Sequence, residues 1–219
     1  MPRRRQFAES ETDSWFERNL EKAEGAEKDE AIDLLCRWLE PFSGNIEKLV
    51  EIGCGGGHRL RMLSETLKAD GYGVDPSRKA VNYASETFPA LTTEVGFGDS
   101  VPFNSRSFDL IHLGFYLYLV DRGDYLKCIS EADRLLKFGG FLSIIDFDTP
   151  IPYSNEYVQK KGVFSHKTDN ARVFVASGLY SVVNKYSFSH SGFHFDKAID
   201  ERIALTLLYK EGELFAACD

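Results

Sequence analysis

Short apolar runs alternate with amphipathic segments through the first two thirds of the chain, and this alternation limits the folds that it can adopt. Runs that are mostly apolar throughout, separated by helices, are typical of a parallel sheet covered by helices on both faces. The sequence therefore predicts an α/β fold. The predicted strands are KLVEIG (48–53), GYGVDPS (71–77), LTTEVGFGD (91–99), SFDLIHLGFYL (107–117) and FLSIIDFD (141–148).

Helices are predicted between these runs. Ile32, Leu35, Cys36 and Leu39 share one face of a helix that Pro41 ends. Ser77 is placed to cap a later helix. A further helix is predicted from the segment 121–140, with Gly139 and Gly140 as its stop signals.

The tail has a different pattern, because segments 181–190 and 201–210 read as two strands with no helix between them. The complete prediction is a Rossmann-like, doubly wound, mostly parallel seven-stranded sheet with an antiparallel C-terminal edge and an N-terminal helical cap. Residues 1–219 are predicted to form one domain. Its parts are the cap (1–45), the ligand-binding core (46–146), an acceptor-site insertion (147–180) and the edge strands (181–219).

Charge and composition exclude several classes of function. The net charge of −8 disfavours attraction to nucleic acid or to an anionic membrane. The basic start MPRRRQ is followed by no apolar signal region, and no run of about twenty apolar residues predicts a membrane span. The four cysteines are scattered and predicted to be reduced. We therefore expect a cytoplasmic protein.

Four glycines lie within five positions directly after the first apolar run, in LVEIGCGGGHRL (49–60). Glycine buries no side chain, so such a cluster predicts a loop that a ligand approaches closely. The dinucleotide pattern G-x-G-x-x-G fails, because His58 occupies its sixth position. The pattern present is E-x-G-x-G-x-G. Its acid, Glu51, is awkward beside a phosphate but suits a ligand that carries an amino group and a sulfonium.

Four motifs between residues 48 and 146 resemble, in order and spacing, those of class I S-adenosylmethionine-dependent methyltransferases. This resemblance implies S-adenosylmethionine as the cofactor and methyl transfer as the activity. The segments WFERN and PYSNEY…GVFSHKTDNARVF also resemble bacterial methyltransferases found with surface-polysaccharide genes. The four motifs are VEIGCGGG, YGVDPS, GFGDSVPFNSRSFDLI and EADRLLKFGGFLSIID.

The residues predicted to hold the cofactor lie mainly at strand ends. Asp75 follows the glycine loop by about twenty residues, where a carboxylate accepts both ribose hydroxyls; the alternative is a plain helix-start acid. The resemblance places Asp99 at the adenine, against a plain turn residue. Glu51 is placed near the amino group, against a structural hydrogen bond. Arg18 is placed at the methionine carboxylate, and Trp15 either covers the cofactor or anchors the first helix. The predicted set is Trp15, Arg18, Glu51, Gly53, Cys54, Gly55, Gly57, Asp75, Pro76, Asp99, Ser100, Leu113, Gly114 and Phe115.

The acceptor is predicted to lie against the insertion 147–180. His166 is the first candidate for a general base, with a surface-loop histidine as the alternative. Asp146 is the second candidate, with a capping carboxylate as the alternative. Asp169 and Arg172 either clamp a polar acceptor or form a local ion pair. The predicted substrate-binding set is Tyr116, Tyr118, Asp148, Asp169 and Arg172.

The remaining histidines and the lack of other motifs narrow the chemistry. His112 is predicted to be a core residue, and His190 and His194 show no role. No Cys/His/Asp grouping has metal-ligand spacing, so no metal is predicted. The segment HLGFYL lacks the [N/D]-P-P-[Y/F] element, which disfavours amino-methylation of adenine or glutamine.

The function predicted is methyl transfer to a small or carbohydrate-like acceptor, at oxygen, by in-line displacement. Three alternatives stay open. They are N-methylation of an amino sugar, peptide or small amine, a non-catalytic cofactor-binding partner subunit, and, as the weakest, a nicotinamide-dependent oxidoreductase.

Overall fold

A seven-stranded sheet forms the centre of the molecule in a computed structural model that describes residues 11–24, 29–158 and 160–212. The N-terminal PRRR and Cys218, both noted in the sequence, lie outside these residues. In chain order the elements are α1 (Thr12–Glu24), α2 (Glu30–Leu39), β1 (Lys48–Ile52), α3 (His58–Leu67), β2 (Asp70–Asp75), α4 (Arg78–Thr87), β3 (Thr92–Val95), β4 (Phe108–Gly114), α5 (Tyr125–Leu135), β5 (Leu136–Phe147), β6 (Tyr153–Glu156), β7 (Phe164–Lys167), α6 (Ala171–Ala176), β8 (Tyr180–Ser189) and β9 (Arg202–Lys210).

The strand order is β3-β2-β1-β4-β5-β9-β8. The strands from β3 to β5 pair in parallel, whereas β9 is antiparallel to both β5 and β8. The fold class predicted from the sequence is therefore confirmed, including the antiparallel edge and the helical cap. Because the chain moves outward to β3 and then returns to β4 on the other side of β1, the order reverses between β1 and β4. Ligands of open α/β sheets bind at such a reversal.

Alternate residues of each central strand enter two apolar cores, one on each face of the sheet. Leu49 and Leu110 pack into one core with the helices α2 and α3, whereas Val50 and Ile111 pack into the other with α5. This explains why the strands read as continuous apolar runs. Each fully buried Leu or Ile side chain contributes about 1.5–3 kcal/mol. The two layers hold the strand ends, and the loops that follow them, in fixed positions.

Side-chain caps set where two of these helices begin. The Asp29 carboxylate accepts hydrogen bonds from the amides of Ala31 and Ile32 at the start of α2. The Ser77 hydroxyl accepts one from the amide of Ala80 at the start of α4, as predicted. Each cap pairs an amide that would otherwise lack a partner inside the helix.

The prediction that Gly139 and Gly140 end a helix is wrong. Helix α5 ends at Leu135, and both glycines lie inside β5. The chain passes from helix to strand at Leu136, which is buried and pairs with Phe108 of β4. Gly139 has a φ of +75°, and a Cβ on Gly140 would lie 2.9 Å from the carbonyl oxygen of Asp109. The glycines thus serve an irregular stretch of strand rather than a helix end.

The segment 147–180 contains elements that the sequence did not predict. Strands β6 and β7 form a separate antiparallel hairpin, and α6 follows it. The third strand is also shorter than predicted, since it ends at Val95. Of the helices in the described ranges, none is both long and apolar enough to cross a bilayer.

Candidate active site

Two adjoining pockets lie at the carboxyl ends of β1, β2 and β4, where the strand order reverses. The first pocket faces β2 and the loop after β3. The second pocket faces the start of α3 and the C-terminal end of β8. The walls of both pockets include Trp15, Phe16, Gly53, Gly55, Gly114 and Phe115.

Asp75, the last residue of β2, presents its carboxylate in the first pocket. One oxygen accepts a hydrogen bond from the amide of Gly55 (2.9 Å), and the other accepts one from the amide of Ser77 (2.8 Å). These bonds fix the carboxylate but leave each oxygen further acceptor capacity. Burial raises the pKa of Asp75 to about 6 despite both amides.

The glycines of the first loop do different work. Gly55 has a φ of +50°, and a Cβ there would meet no atom within 4 Å, so the backbone at Gly55 borders open space. Gly57 has a φ of +80° but faces Ala84 of α4, which a Cβ would approach to 3.2 Å. Close approach of a ligand is therefore possible at Gly55, whereas Gly57 allows two helices to pack.

Tyr116 joins the two loops that flank the first pocket. Its ring lies against Gly53, where a Cβ would come within 2.6 Å of it, and its hydroxyl accepts a hydrogen bond from the amide of Gly98 (3.0 Å). The preceding residue, Phe115, has a φ of 53°, which strains a bulky side chain. Such strain is retained where the surrounding structure requires it, often at functional sites.

The second pocket has a volume of about 440 Å³, within the range of small-molecule sites. Its walls carry the aromatic rings of Trp15, Phe16, Phe115 and Tyr118. Polar side chains stand at its edges. They are Asn19, Asp29, Glu51, His58, Arg59 and His190.

Glu51 is a buried carboxylic acid in the wall of the second pocket. Its Oε2 atom has no hydrogen-bond partner among the described residues. Burial raises its pKa to about 8, against the opposing effect of the Arg59 guanidinium. An unpaired buried acceptor is costly, and a bound cation would restore its charge.

His112 is a buried core histidine, as predicted. Its Nδ1 hydrogen bonds to the hydroxyl of Ser143 (2.7 Å), whereas Nε2 has no partner among the described residues. Burial lowers its pKa to about 3, so the ring is neutral.

Arg59, rather than Arg18, brings a guanidinium to the second pocket. Arg59 donates to Asp29 (2.8 Å) and lies 5.4 Å from the centre of the Phe115 ring. Arg18 instead pairs with Glu11 and lines neither pocket. The sequence analysis missed Arg59, although its position in the first turn of the helix after the glycine loop was a usable signal.

Helix α1 covers both pockets with Trp15 and Phe16. Asp13 anchors the helix, because its carboxylate accepts hydrogen bonds from the Ser77 hydroxyl (2.6 Å) and the Lys79 amide (3.3 Å). Phe16 packs against Tyr83 of α4 with ring centres 5.6 Å apart. Indole and phenol also meet, since Trp15 hydrogen bonds to Tyr118.

The other predicted cofactor residues divide between wall and core. Pro76 and Asp99 line the first pocket, and Cys54 lines the second. Leu113 is buried in an apolar core, and Ser100 is exposed; neither lines a pocket.

Of the predicted acceptor residues, Tyr116 lines the first pocket and Tyr118 the second. Asp146 lies beneath them, fully buried, and accepts hydrogen bonds from the amide of Phe147 and the side chain of Asn170 (both 2.8 Å). Burial raises its pKa to about 7. The structure gives its carboxylate a structural partner on each oxygen.

The remaining predicted acceptor residues lie outside both pockets. His166 hydrogen bonds to Ser154 across the β6–β7 hairpin (2.7 Å). Lys185 bridges Asp148 (2.7 Å) and Asp169 (2.8 Å), and Arg172 forms an ion pair with Asp169. The local ion pair that the sequence left open is thus present. A catalytic or binding role for these side chains gains no support from their positions and stays a prediction.

The residues present fit S-adenosylmethionine. The first pocket offers a carboxylate at a strand end beside exposed glycine backbone, which suits a ribose. The second offers the unpaired Oε2 of Glu51, which suits an ammonium group, beside the Arg59 guanidinium. No group of three or more His, Cys, Asp or Glu side chains within the described ranges is arranged to hold a metal ion.

Comparison with known proteins agrees with this geometry. Residues 49–140 match the model of a methyltransferase domain family. An uncharacterized methyltransferase of Synechocystis is 31% identical over 104 residues, which cover 48% of this chain and 49% of the relative. A ubiquinone/menaquinone biosynthesis C-methyltransferase of Campylobacter jejuni is 30% identical over 107 residues, covering 46% and 44%. The chain thus spans about half the length of the curated relatives it matches.

A solved structure extends the likeness of fold. The 1,6-didemethyltoxoflavin-N1-methyltransferase of Burkholderia thailandensis, solved with 1,6-didemethyltoxoflavin and S-adenosylhomocysteine, has a TM-score of 0.67. The alignment covers 91% of this chain and 87% of that one at 12% identity. At this identity the likeness concerns the fold alone.

Proposed function

We propose that this chain, which carries a class I S-adenosylmethionine-dependent methyltransferase domain, transfers a methyl group to the oxygen of a small-molecule acceptor. The family resemblance and the cofactor predicted from the sequence are both confirmed by the comparisons. The comparisons indicate an enzyme. The acceptor and the atom methylated belong to the proposal.

The observation that carries the proposal is the wall common to the two pockets. Gly53, Gly55, Gly114 and Phe115 border both spaces. A methyl donor seated across this wall has its nucleoside on the Asp75 side and its amino acid part on the Glu51 side. The sulfonium between them then faces the aromatic part of the second pocket. Donor and acceptor meet in one fixed geometry, which is the main contribution of a protein to such a displacement.

Four charged side chains are proposed to hold the cofactor. Asp75 accepts from the ribose hydroxyls, and Asp99 lies at the adenine side of the first pocket. Glu51 binds the ammonium group. Arg59 takes the role that the sequence analysis gave to Arg18, at the methionine carboxylate, because it is the guanidinium that lines the second pocket.

When bound, S-adenosylmethionine supplies an electrophilic methyl group on a sulfonium leaving group. The chain aligns the acceptor and excludes water. Trp15 and Phe16 of α1 cover both pockets, and Asp13 holds that helix against α4. Excluding water prevents hydrolysis and strengthens the electrostatic contacts inside the site.

The acceptor is proposed to be a small molecule. The B. thailandensis neighbour was solved with a small heterocyclic acceptor, and the C. jejuni relative is named for quinone biosynthesis. Nucleic acid and membrane lipid are disfavoured by the net charge of −8. We propose a cytoplasmic location, which the reduced Cys36, Cys54 and Cys128 support.

The test is a coupled pair of measurements on the full chain. Calorimetry with S-adenosylhomocysteine measures cofactor binding, and mass spectrometry detects methylated products after incubation with S-adenosylmethionine and a panel of phenols, sugars and amines. We expect micromolar binding and a mass gain of one methyl group on a hydroxylated compound. Methylated amines alone would replace oxygen by nitrogen, and binding without any product would favour the partner-subunit alternative.

A further inference from the structure

His190 lies at the exposed rim of the second pocket and has no role in the account so far. It ends the turn after β8, and its ring stacks on Phe115 with centroids 5.4 Å apart and planes at 21°. Phe147 lies on another side, at 5.2 Å. Neither ring nitrogen hydrogen bonds to another side chain or to backbone within the described part of the chain.

The other polar groups around this part of the pocket already have protein partners. Asp29 and Arg59 pair with each other, Asn19 donates to the carbonyl of Trp15, and Trp15 bonds to Tyr118. A sugar needs several fixed hydrogen-bond partners, whereas a flat ring with one hydroxyl needs few. Aromatic side chains pack well against such a ring, either offset or edge to face.

We propose that the part of the second pocket formed by Trp15, Phe115, Tyr118 and His190 binds a planar aromatic acceptor with a hydroxyl group, and that His190 accepts the hydroxyl proton. This inference rests on the proposed function and names its acceptor class. The hydroxyl oxygen forms the new O–C bond, the electron pair of the broken C–S bond returns to sulfur, and the proton passes to the imidazole nitrogen.

The surroundings of His190 keep its ring neutral and ready to accept a proton. Burial lowers the pKa of His190, and the Lys167 ammonium, which lies 4.3 Å from the Phe147 ring centre, acts in the same direction. Glu201 opposes them. Arg59 stands against Phe115, which separates the guanidinium from the imidazole ring by one aromatic layer.

The test uses 4-nitrophenol, whose phenolate absorbs in the visible range, with the full-length protein in the presence and absence of S-adenosylhomocysteine. Binding is measured by calorimetry, with methyl glucoside and cyclohexanol as the non-aromatic probes. The variants are His190→Gln and, as a matched control, His194→Gln. His194 lies four residues away and lines neither pocket.

We expect 4-nitrophenol to bind at least tenfold more tightly than either non-aromatic probe. At equal occupancy, wild type and His194→Gln should give a stronger phenolate band than His190→Gln. A reduced band in the variant marks proton transfer to His190, which a merely structural role would not produce. Methyl glucoside binding as tightly as 4-nitrophenol would overturn the acceptor class, and an unchanged band in His190→Gln would overturn the role of the histidine.

Failure of the proposed function is recognised separately. If S-adenosylhomocysteine does not bind while 4-nitrophenol does, the methyl-transfer assignment is wrong but the aromatic site stands. If S-adenosylhomocysteine binds and 4-nitrophenol does not, the aromatic site is wrong and the methyl-transfer assignment stands.

Discussion

Glu51 is the residue whose surroundings say most about the ligand. A buried carboxyl oxygen without a partner costs about 1–3 kcal/mol, so a chain keeps one only where something offsets that cost. Glu51 lies one position before the end of β1, close enough to the glycine loop to face a ligand. Its alternative from the sequence, a hydrogen bond within the protein, accounts for only part of the carboxyl group, because Oε2 has no partner among the described residues.

The protonation of Glu51 predicts a pH dependence of binding. Its pKa of about 8 means that the free protein holds the proton at neutral pH. An ammonium group stabilises the carboxylate, so binding releases that proton and tightens as the pH rises from about 6 toward about 8. Calorimetry with S-adenosylhomocysteine in buffers of different ionisation enthalpy measures the release.

Glu51→Gln serves as the control for this prediction. It should bind more weakly and release less proton, leaving only the contribution of Asp75, whose pKa is about 6, at the acid end. Equal proton release by wild type and variant would contradict the assignment of Glu51.

Gly55 and Gly178 provide a matched pair for testing ligand approach. Both have positive φ, and a Cβ at either position would meet no atom within 4 Å. Alanine should therefore cost similar stability at each site, about 1 kcal/mol from backbone strain. Only Gly55→Ala should weaken S-adenosylhomocysteine binding, by tenfold or more, because only Gly55 lines a pocket. Chemical denaturation and calorimetry measure the two effects, and equal affinity in both variants would refute the place given to Gly55.

At the scale of elements, α1 is held over the pockets by few contacts. Asp13 caps the start of α4 through the Ser77 hydroxyl and the Lys79 amide, whereas Glu17 forms only an exposed ion pair with Lys79. Exposed ion pairs contribute little, typically under about 1 kcal/mol, and a helix cap contributes about 1 kcal/mol. The docking of the helix should depend on Asp13 more than on Glu17.

Asp13→Ala should therefore speed the release of S-adenosylhomocysteine and raise amide hydrogen exchange in α1, while Glu17→Ala should leave both near wild type. Stopped-flow displacement and hydrogen exchange with mass spectrometry are the measurements. If the two variants behave alike, α1 is not held in place by the Asp13 cap.

The central elements could be predicted because their signals are local and strong. The run LVEI, the caps at Asp29 and Ser77 and the stripe of Ile32, Leu35 and Leu39 each specify an element from neighbouring residues. The β6–β7 hairpin could not, because its strands have four residues each and lie mostly exposed, so no apolar period marks them. The end of α5 was missed because glycines served the strand that follows.

At the scale of the whole molecule, the sequence located the first pocket better than the second. Asp75, Gly55 and Asp99 belong to motifs that are contiguous in the chain. The second pocket brings together Arg59, Tyr118 and His190, which lie far apart in sequence and meet only when β8 packs beside β9 at the sheet edge. The predicted acceptor set in 147–180 therefore pointed to side chains that pair with each other instead.

The charge of the whole chain predicts the absence of a nucleic-acid partner. With a net charge of −8, we expect no retention of duplex DNA or RNA in a filter-binding assay at low salt. A variant without residues 1–5 removes the basic PRRR segment as a local cause. Strong binding that survives this truncation would contradict the prediction.

The central claim is that S-adenosylmethionine binds at the carboxyl ends of β1 and β2, with its ribose on Asp75. The most direct measurement is calorimetric titration of S-adenosylhomocysteine into wild type, Asp75→Ala and Asp70→Ala. Asp70 begins the same strand at the opposite edge of the sheet. We predict one site per chain, a loss of about 2 kcal/mol or about thirtyfold in Asp75→Ala, and wild-type affinity in Asp70→Ala. An unchanged Kd in Asp75→Ala, or an equal loss in both variants, would contradict the account.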